Sequence, residues 1–526
     1  MLRKTRIVSA CLCFMLLTLL FLDFTGTLRH YVGWLARVQF LPAVLALNFG
    51  VVIALVIVTL LFGRIYCSII CPLGVFQDGV SWIAAKRRKN RFSYSKPLNA
   101  LRYGILAAFV IAFVAGFGAI AALIAPYSAY GRIAANLFAP LYRWGNNGLA
   151  SLAERLDSYA FYSVEVWMKG IGALVVAALT LAVIASLAWR KGRTWCNAIC
   201  PVGTVLGTLA RFSLFKPRID ADQCVHCGLC ERNCKAACID AKAGTIDGSR
   251  CVACMDCLGN CKKGAIHYAL PKKKRSPESN QTRQSERAAA AATPVQTADA
   301  PPAETGKTAV QEQEQAAGLS RRAFISAASL LALEGVARAQ EMKVDGGLAV
   351  LADKEIPERA TPIVPPGALG AANLAKHCTA CQLCVAACPN QVLRPSKKLK
   401  TWMQPEVSYE RGYCRPECTR CSSVCPTGAL QKITAAEKSA IQVGHAVWVR
   451  ERCLVLQEGV ARGNCPRHCP SGAIHLAPSD PGDQSSPKIP LIDPERCIGC
   501  GACEHLCPAR PLSAIYVEGH ERHREV

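Results

Sequence analysis

Cys224-Val225-His226-Cys227-Gly228-Leu229-Cys230-Glu231-Arg232-Asn233-Cys234 sets four thiols at C-x2-C-x2-C-x3-C spacing, and Cys251, Cys254, Cys257 and Cys261 repeat it. Three such thiolates wrap one corner of a cubane iron–sulfur cluster, and the fourth of each run ligates the other cluster. The expected ligand sets are therefore Cys224, Cys227 and Cys230 with Cys261, and Cys251, Cys254 and Cys257 with Cys234. Structural zinc prefers two separated pairs and fits this spacing poorly. Lys235 and Lys262 stand where a proline commonly follows the last cysteine, which weakens the turn but not the ligation. Cys238 is read as a buried extra thiol.

Four more runs follow towards the carboxy terminus. Cys378, Cys381, Cys384 and Cys388 precede Pro389; Cys414, Cys418, Cys421 and Cys425 precede Pro426; Cys497, Cys500, Cys503 and Cys507 precede Pro508. The third run has only Cys453, Cys465 and Cys469 before Pro470, with Arg462 where the pattern wants a thiol. Sharing Cys425 or Cys469 across runs would still leave the two middle runs one thiolate short of eight. One cluster there is expected to be absent, three-iron, or completed by a non-cysteine ligand such as His468.

Upstream of these runs the chain is apolar. Four stretches, about 7–24, 43–62, 105–125 and 170–189, are long enough to span a hydrocarbon core of about 30 Å, which needs roughly 20 residues. The net charge of +24 over 526 residues is concentrated beside them, at Arg3, Lys4 and Arg6, at 86–89, and at Arg190, Lys191 and Arg193. No nucleic-acid motif accompanies it, so membrane lipid is the expected partner and nucleic acid is not. The basic flanks orient both ends of a four-helix transmembrane bundle to the cytoplasm and leave 126–169 outside. No histidine lies in any span, so no haem is expected in the bilayer. Cys11 and Cys13, inside the first span, are read as packing residues.

The bundle contains an internal repeat. Gly63-Arg64-Ile65-Tyr66-Cys67-Ser68-Ile69-Ile70-Cys71-Pro72 follows the second span, and Gly192-Arg193-Thr194-Trp195-Cys196-Asn197-Ala198-Ile199-Cys200-Pro201 follows the fourth. Cysteines four apart share a face if the segment is helical. Cys67, Cys71, Cys196 and Cys200 are candidates for an auxiliary redox or metal site at the membrane edge. A free thiol can also simply pack, but duplication of the whole motif favours function.

The chain thus divides into 1–215, a four-span domain; 216–272, a two-cluster ferredoxin-like domain; 273–318, a linker rich in Ala, Gln, Thr, Pro and Glu, expected to be disordered; 319–340, a further apolar segment; and 341–526, a polyferredoxin domain. Both cysteine-rich domains are expected to be α+β and of bacterial ferredoxin type. Ser320-Arg321-Arg322-Ala323-Phe324-Ile325, then an apolar stretch and Ala337-Arg338-Ala339, has the form of a twin-arginine export signal with Arg321 and Arg322 as its pair. Export after folding suits cluster proteins, because thiols stay reduced in the cytoplasm.

On these motifs 1–270 resembles the NapH-type membrane quinol dehydrogenase subunit of periplasmic nitrate reductase systems. Residues 320–526, with Pro365-Pro366-Gly367-Ala368-Leu369 ahead of the first run, resemble the NapG and MauM type of periplasmic ferredoxin. The resemblance implies a bacterial inner-membrane protein that draws electrons from quinol and the quinone pool. It implies two [4Fe–4S] clusters in the first half, three or four in the second, and a periplasmic reductase or cytochrome as acceptor. Two other classes are a membrane thiol protein that reduces or delivers copper, since soft thiolates favour Cu(I), and an iron–sulfur redox sensor, which would need an output domain.

Overall fold

The computed structural model describes residues 2–87, 92–270, 344–345, 349–350, 352–459, 461 and 463–525. The linker at 273–318, the segment at 319–340 with Arg321 and Arg322, and Arg462 lie outside the described residues. The chain forms two compact units, Met1–Leu270 with Lys354–Val526, and Pro271–Asp353. In the latter, Val344–Asp345 and Ala349–Val350 pair antiparallel.

The larger unit is built on helices α1 (Leu2–Leu22), α2 (Phe49–Phe62), α3 (Pro72–Arg87), α4 (Asn99–Val114), α5 (Pro126–Ile133), α6 (Ala139–Arg155), α7 (Ile171–Lys191) and α8 (Pro201–Ala210). Among the described residues only α1 and α7, each of 21 residues, are long and apolar enough to cross a membrane. The expectation of four unbroken spans is therefore corrected. Leu47 turns left-handed at φ 52, and the Asn48 side chain accepts from the Val51 amide, so α2 starts afresh and keeps 14 residues. Gly116 at φ 85 stops α4 at 16 residues. Capping residues end a helix whatever the hydropathy of its neighbours. At about 1.5 Å per residue, α2 and α4 span roughly 21 and 24 Å, short of a core of about 30 Å.

Helix α3 packs on α1 and α7, α5 crosses α3 and α7, and α8 lies against α2 and α4. Strands β1 (Lys216–Ile219) and β2 (Ile266–Ala269) pair antiparallel, Ile219 opposite Ile266, and close the first cysteine-rich region. In the carboxy-terminal region β3 (Ile441–Trp448) pairs with β6 (Ile515–Glu525), while β4 (Ile474–Asp480) and β5 (Asp483–Ile492) form a hairpin. Each cysteine-rich region has its own core, around Cys234, Ile239 and Val252 in the first and around Cys453, Cys503 and Ile515 in the second. A larger core runs without interruption from Leu17, Phe21, Tyr66 and Tyr127 of the helices into Cys378, Cys384 and Val424.

The two cysteine-rich regions meet opposite ends of α1. At its start, Arg3 donates to Asp256 at 2.9 Å and Arg6 to the Cys254 carbonyl at 3.2 Å. Beyond its end, Arg29 donates to the Ala387 carbonyl at 3.2 Å and Arg37 to that of Ser423 at 3.0 Å. From α5 and its extension, Gly131 lies against the Cys381 carbonyl and Asn136 donates to Gln382 at 2.6 Å. An ordinary residue at 131 would put its Cβ 2.4 Å from that carbonyl, so glycine is what admits the approach.

Candidate iron–sulfur sites

The first cysteine-rich region holds two cavities. One is lined by Cys224, Cys227, Cys230 and Cys261. The other is lined by Cys234, Cys251, Cys254 and Cys257, with Cys238 beside them. Short loops and turns position these thiols: His226, Ala253 and Met255 adopt positive φ, which curls the backbone around each cavity. Burial pushes the Cys230, Cys254 and Cys257 thiols up. Such thiols stay protonated until a metal displaces the proton, so iron binding and proton release are coupled here. Cys238 is buried, its Sγ 3.5 Å from that of Cys234, and this contact draws the Cys234 thiol down.

The carboxy-terminal region repeats the arrangement twice. Burial raises Cys378, Cys381 and Cys384, the Cys381 thiol to about 12, and Cys425 is the thiol from the next run that adds to each rise. Cys388 in turn neighbours Cys414 and Cys421, both also raised by burial. Cys469 adjoins Cys497 and Cys500. Cys453, Cys465 and Cys507 line a cavity of their own, and burial lifts Cys465 to about 11.

The last cysteines of runs one and two therefore stand beside each other's thiols, as do those of runs three and four. This corrects the assignment of the shortfall to the two middle runs: the three-thiol site draws on the third and fourth. His468 is exposed and does not line that cavity, so it is corrected as a candidate ligand; Asn464 lines it instead. The sites stand in sequence. Cys384 neighbours Cys421. Cys414 and Cys500 line a shared cavity and join by an amide-to-carbonyl bond of 2.9 Å. Cys503 neighbours Cys465.

Cys67, Cys71, Cys196 and Cys200 are each buried in the helical part. The first motif is a short α-turn, Ile65–Ile69, but the second, Trp195–Ile199, is a π-turn that ends before Cys200. The expected pairing of cysteines on one helical face is corrected accordingly. Each pair instead straddles the end of its turn, where the following proline starts α3 or α8. Around them lies a charge network that sequence reading did not single out. Asp78 accepts from Arg6 at 2.9 Å and Arg193 at 2.8 Å, and Lys235 pairs with Asp256 at 2.9 Å. Burial alone would raise the Asp78 carboxyl, but Arg193, Lys235 and Arg6 hold it well below the usual carboxylate range. The Gly-Arg step ahead of each pair was the available signal for Arg64 and Arg193. Asp78 had none, because one acid in an apolar helix reads as exposed. Cys11, read as packing, is exposed on the outer face of α1.

A cleft of about 780 Å³ opens beside this network, lined by Phe92, Leu98, Arg190, Asn197 and Ala236 among others.

Each of the cavities at Cys224, Cys251 and Cys465 is lined by three or more thiols, the donor type of iron–sulfur clusters.

Comparison with known proteins agrees. A family described as "4Fe-4S dicluster domain" matches residues 377–429 and 462–510, each segment spanning one exchanging pair of runs in whole or part. A family described as "4Fe-4S binding domain" matches 44–91, 171–220 and 421–439. The methylamine utilization ferredoxin-type protein MauM of Methylobacillus flagellatus is 34% identical over 31% of this chain and 70% of its own length. MauM of Paracoccus denitrificans is 34% identical over 34% of this chain and 81% of its own. The ferredoxin-type protein NapG of Escherichia coli is 31% identical over 27% and 64%. No solved structure matches the chain. With thiols from paired runs gathered together and relatives of this kind, the chain belongs to the MauM family of ferredoxin-type proteins, iron–sulfur proteins of electron transfer.

Proposed function

We propose that the chain is an inner-membrane electron-transfer protein that oxidises a quinol and passes the electrons singly through [4Fe–4S] clusters to a periplasmic reductase or cytochrome. The proposed ligands are Cys224, Cys227, Cys230 and Cys261; Cys234, Cys251, Cys254 and Cys257; Cys378, Cys381, Cys384 and Cys425; Cys388, Cys414, Cys418 and Cys421; Cys469, Cys497, Cys500 and Cys503; and, for the incomplete site, Cys453, Cys465 and Cys507. Each quinol releases two electrons and two protons, and each cluster accepts one electron. The basic flanks of the helices support a cytoplasmic first cysteine-rich region, and Arg321 and Arg322, ahead of the carboxy-terminal one, support a periplasmic place for it.

The observation that carries this reading is that the two regions cap opposite ends of α1, whose 21 residues extend roughly 31 Å. The cleft between Arg190 and Ala236 adjoins both the apolar helices and the first region, and we assign the quinol headgroup to it. The test is anaerobic reduction of the full chain by a menaquinol or ubiquinol analogue. Prompt bleaching of cluster absorbance is expected. Clusters that dithionite reduces and no quinol does would overturn the proposal.

A further inference from the structure

The repeated Cys-x3-Cys-Pro motifs belong to neither cysteine-rich region, and each carries only two thiols. The fold brings the two copies together around an approximate twofold relation. A Cβ at Gly74 would lie 2.3 Å from the Cys67 carbonyl and 2.7 Å from Arg193 of the other copy. A Cβ at Gly203 would lie 2.2 Å from the Cys196 carbonyl and 2.9 Å from Arg64 of the first copy. Each arginine thus crosses into the opposite motif through the space a glycine leaves. Around Cys71 the neighbouring thiols are Cys67 and Cys196, and around Cys200 they are Cys196, Cys71 and Cys67. Neither copy could enclose a cluster alone, while together they supply four thiols.

Charge points the same way. Arg64 is fully buried, and its hydrogen bonds go to Asn197 Oδ1 at 2.7 Å, the carbonyls of Ser249 and Cys196, and Cys67 Sγ at 3.9 Å. All are neutral while Cys67 is a thiol, and among the described residues the Arg64 Nε has no hydrogen-bond partner. Arg193, also fully buried, has Asp78. A buried guanidinium without an anion is costly. Four thiolates around iron would supply that anion. The sulfurs are also met by amide N–H groups, Gln77 Nε2 on Cys196 and the Gly203 N–H on Cys200, each at 3.3 Å, the contacts that tune cluster potentials.

Position supplies the role. On one side Arg193 N–H donates to the Lys235 carbonyl at 2.8 Å and Asn197 to that of Ala236 at 3.1 Å, directly after Cys234. On the other, Tyr66, between its motif thiols and Gln39, shares the large core with Tyr127. The ionisable neighbours of the Tyr127 hydroxyl are Cys381, Cys425 and Tyr66. The quartet therefore stands between the two cysteine-rich regions, where electron transfer over the full length of α1 in one step would be too slow.

We infer that Cys67, Cys71, Cys196 and Cys200 jointly hold an iron–sulfur cluster that relays single electrons between the Cys234–Cys251–Cys254–Cys257 cluster and the Cys378–Cys381–Cys384–Cys425 cluster. One electron enters from one neighbour and one leaves to the other, and no atom is transferred. The direction of flow rests on the quinol proposal; the existence of the site does not.

The experiment compares iron, acid-labile sulfide and spin-resonance spectra of the full chain, purified anaerobically in detergent, with those of Cys67→Ser/Cys196→Ser and of Cys11→Ser. The double variant is expected to lose one cluster's iron and sulfide while the other signals persist, and electrons entering from quinol should no longer reach the carboxy-terminal clusters. Cys11→Ser should match the parent. Should the double variant not fold, Arg64→Gln keeps all four thiols and is expected to shift the potential of a single cluster at unchanged iron content. Unchanged iron and sulfide in the double variant, no shifted potential in Arg64→Gln, or stoichiometric copper or zinc on the quartet of an iron-replete chain would each overturn the inference. Quinol that reduces nothing in the parent, with iron still lost in the double variant, would defeat the quinol proposal and leave this site standing.

Discussion

In both cysteine-rich regions the last cysteine of one run stands beside the thiols of another, yet the two regions meet the helices differently. The first is held by charge: Arg3, Arg6, Arg193 and Lys235 converge on Asp78 and Asp256. The second is held chiefly by side chains reaching backbone carbonyls, by Asn136 on Gln382, and by a continuous apolar core. Their cysteines differ in the same sense. Cys227 of the first region is exposed, whereas Cys378, Cys381 and Cys384 of the second are buried against the helices. A charged joint tolerates water and suits a region continuous with the preceding helix. A mostly apolar joint suits a region that arrives already folded and docks by shape.

The largest effect should come from separating the two regions. Arg321→Lys with Arg322→Lys keeps the charge but removes the pair that export machinery reads. Protease added to spheroplasts should digest the carboxy-terminal region of the parent and spare it in the variant. Protection in both would put every cluster on one side of the membrane and end the comparison of two faces.

Next in size are the exchanging cysteines. Cys425→Ser should remove the cluster of Cys378, Cys381 and Cys384, and Cys388→Ser the cluster of Cys414, Cys418 and Cys421. Spin-resonance spectra of the singly substituted chains distinguish this from runs that each close on themselves, where the losses would be reversed. The third exchange is incomplete, and Arg462→Cys restores its spacing. The parent should show a three-iron signal or a site-differentiated cluster there; the variant should gain a full four-iron signal and, relative to a three-iron parent, one iron.

The charged joint is expected to be more fragile to a single change than the apolar one. Asp78→Asn leaves Arg6 and Arg193 buried without their carboxylate, and breaking a buried pair from one side costs about 3–5 kcal/mol. Thermal unfolding in detergent should fall accordingly, with the signals of the Cys251 set broadened first. Asn136→Ala removes one buried hydrogen bond to Gln382 and should cost about 1–3 kcal/mol. Equal losses from the two variants would mean that charge does not distinguish the joints.

Much of the chemistry was legible along the chain because cluster ligation is local. Cys224, Cys227 and Cys230 lie within one loop, so their spacing alone announces a cubane, and the exchange with Cys261 follows from the repeat. The pairing of the third run with the fourth was not legible, because which runs face each other depends on how β3 and β6 close the domain. The broken spans were missed for a different reason. Hydropathy averages over a window, whereas Asn48 and Gly116 stop a helix by the hydrogen bond or dihedral of one residue.

Sequence by itself determined that this is a multi-cluster iron–sulfur protein with an apolar, basic-flanked amino-terminal half and a duplicated thiol motif. Those properties are carried by residue type and short spacing. Only the tertiary structure decided that the two motif copies interlock through Gly74 and Gly203, that Asp78 balances Arg193 and Arg6, and that the carboxy-terminal cysteine-rich region docks on α5 through Cys381 and Gly131. These contacts join residues at least 72 positions apart, and the identity of neither partner predicts the other. They exist because a glycine leaves room for a guanidinium, a buried charge requires an opposite one, and a backbone carbonyl must find its approach, conditions that are met in space and not along the chain.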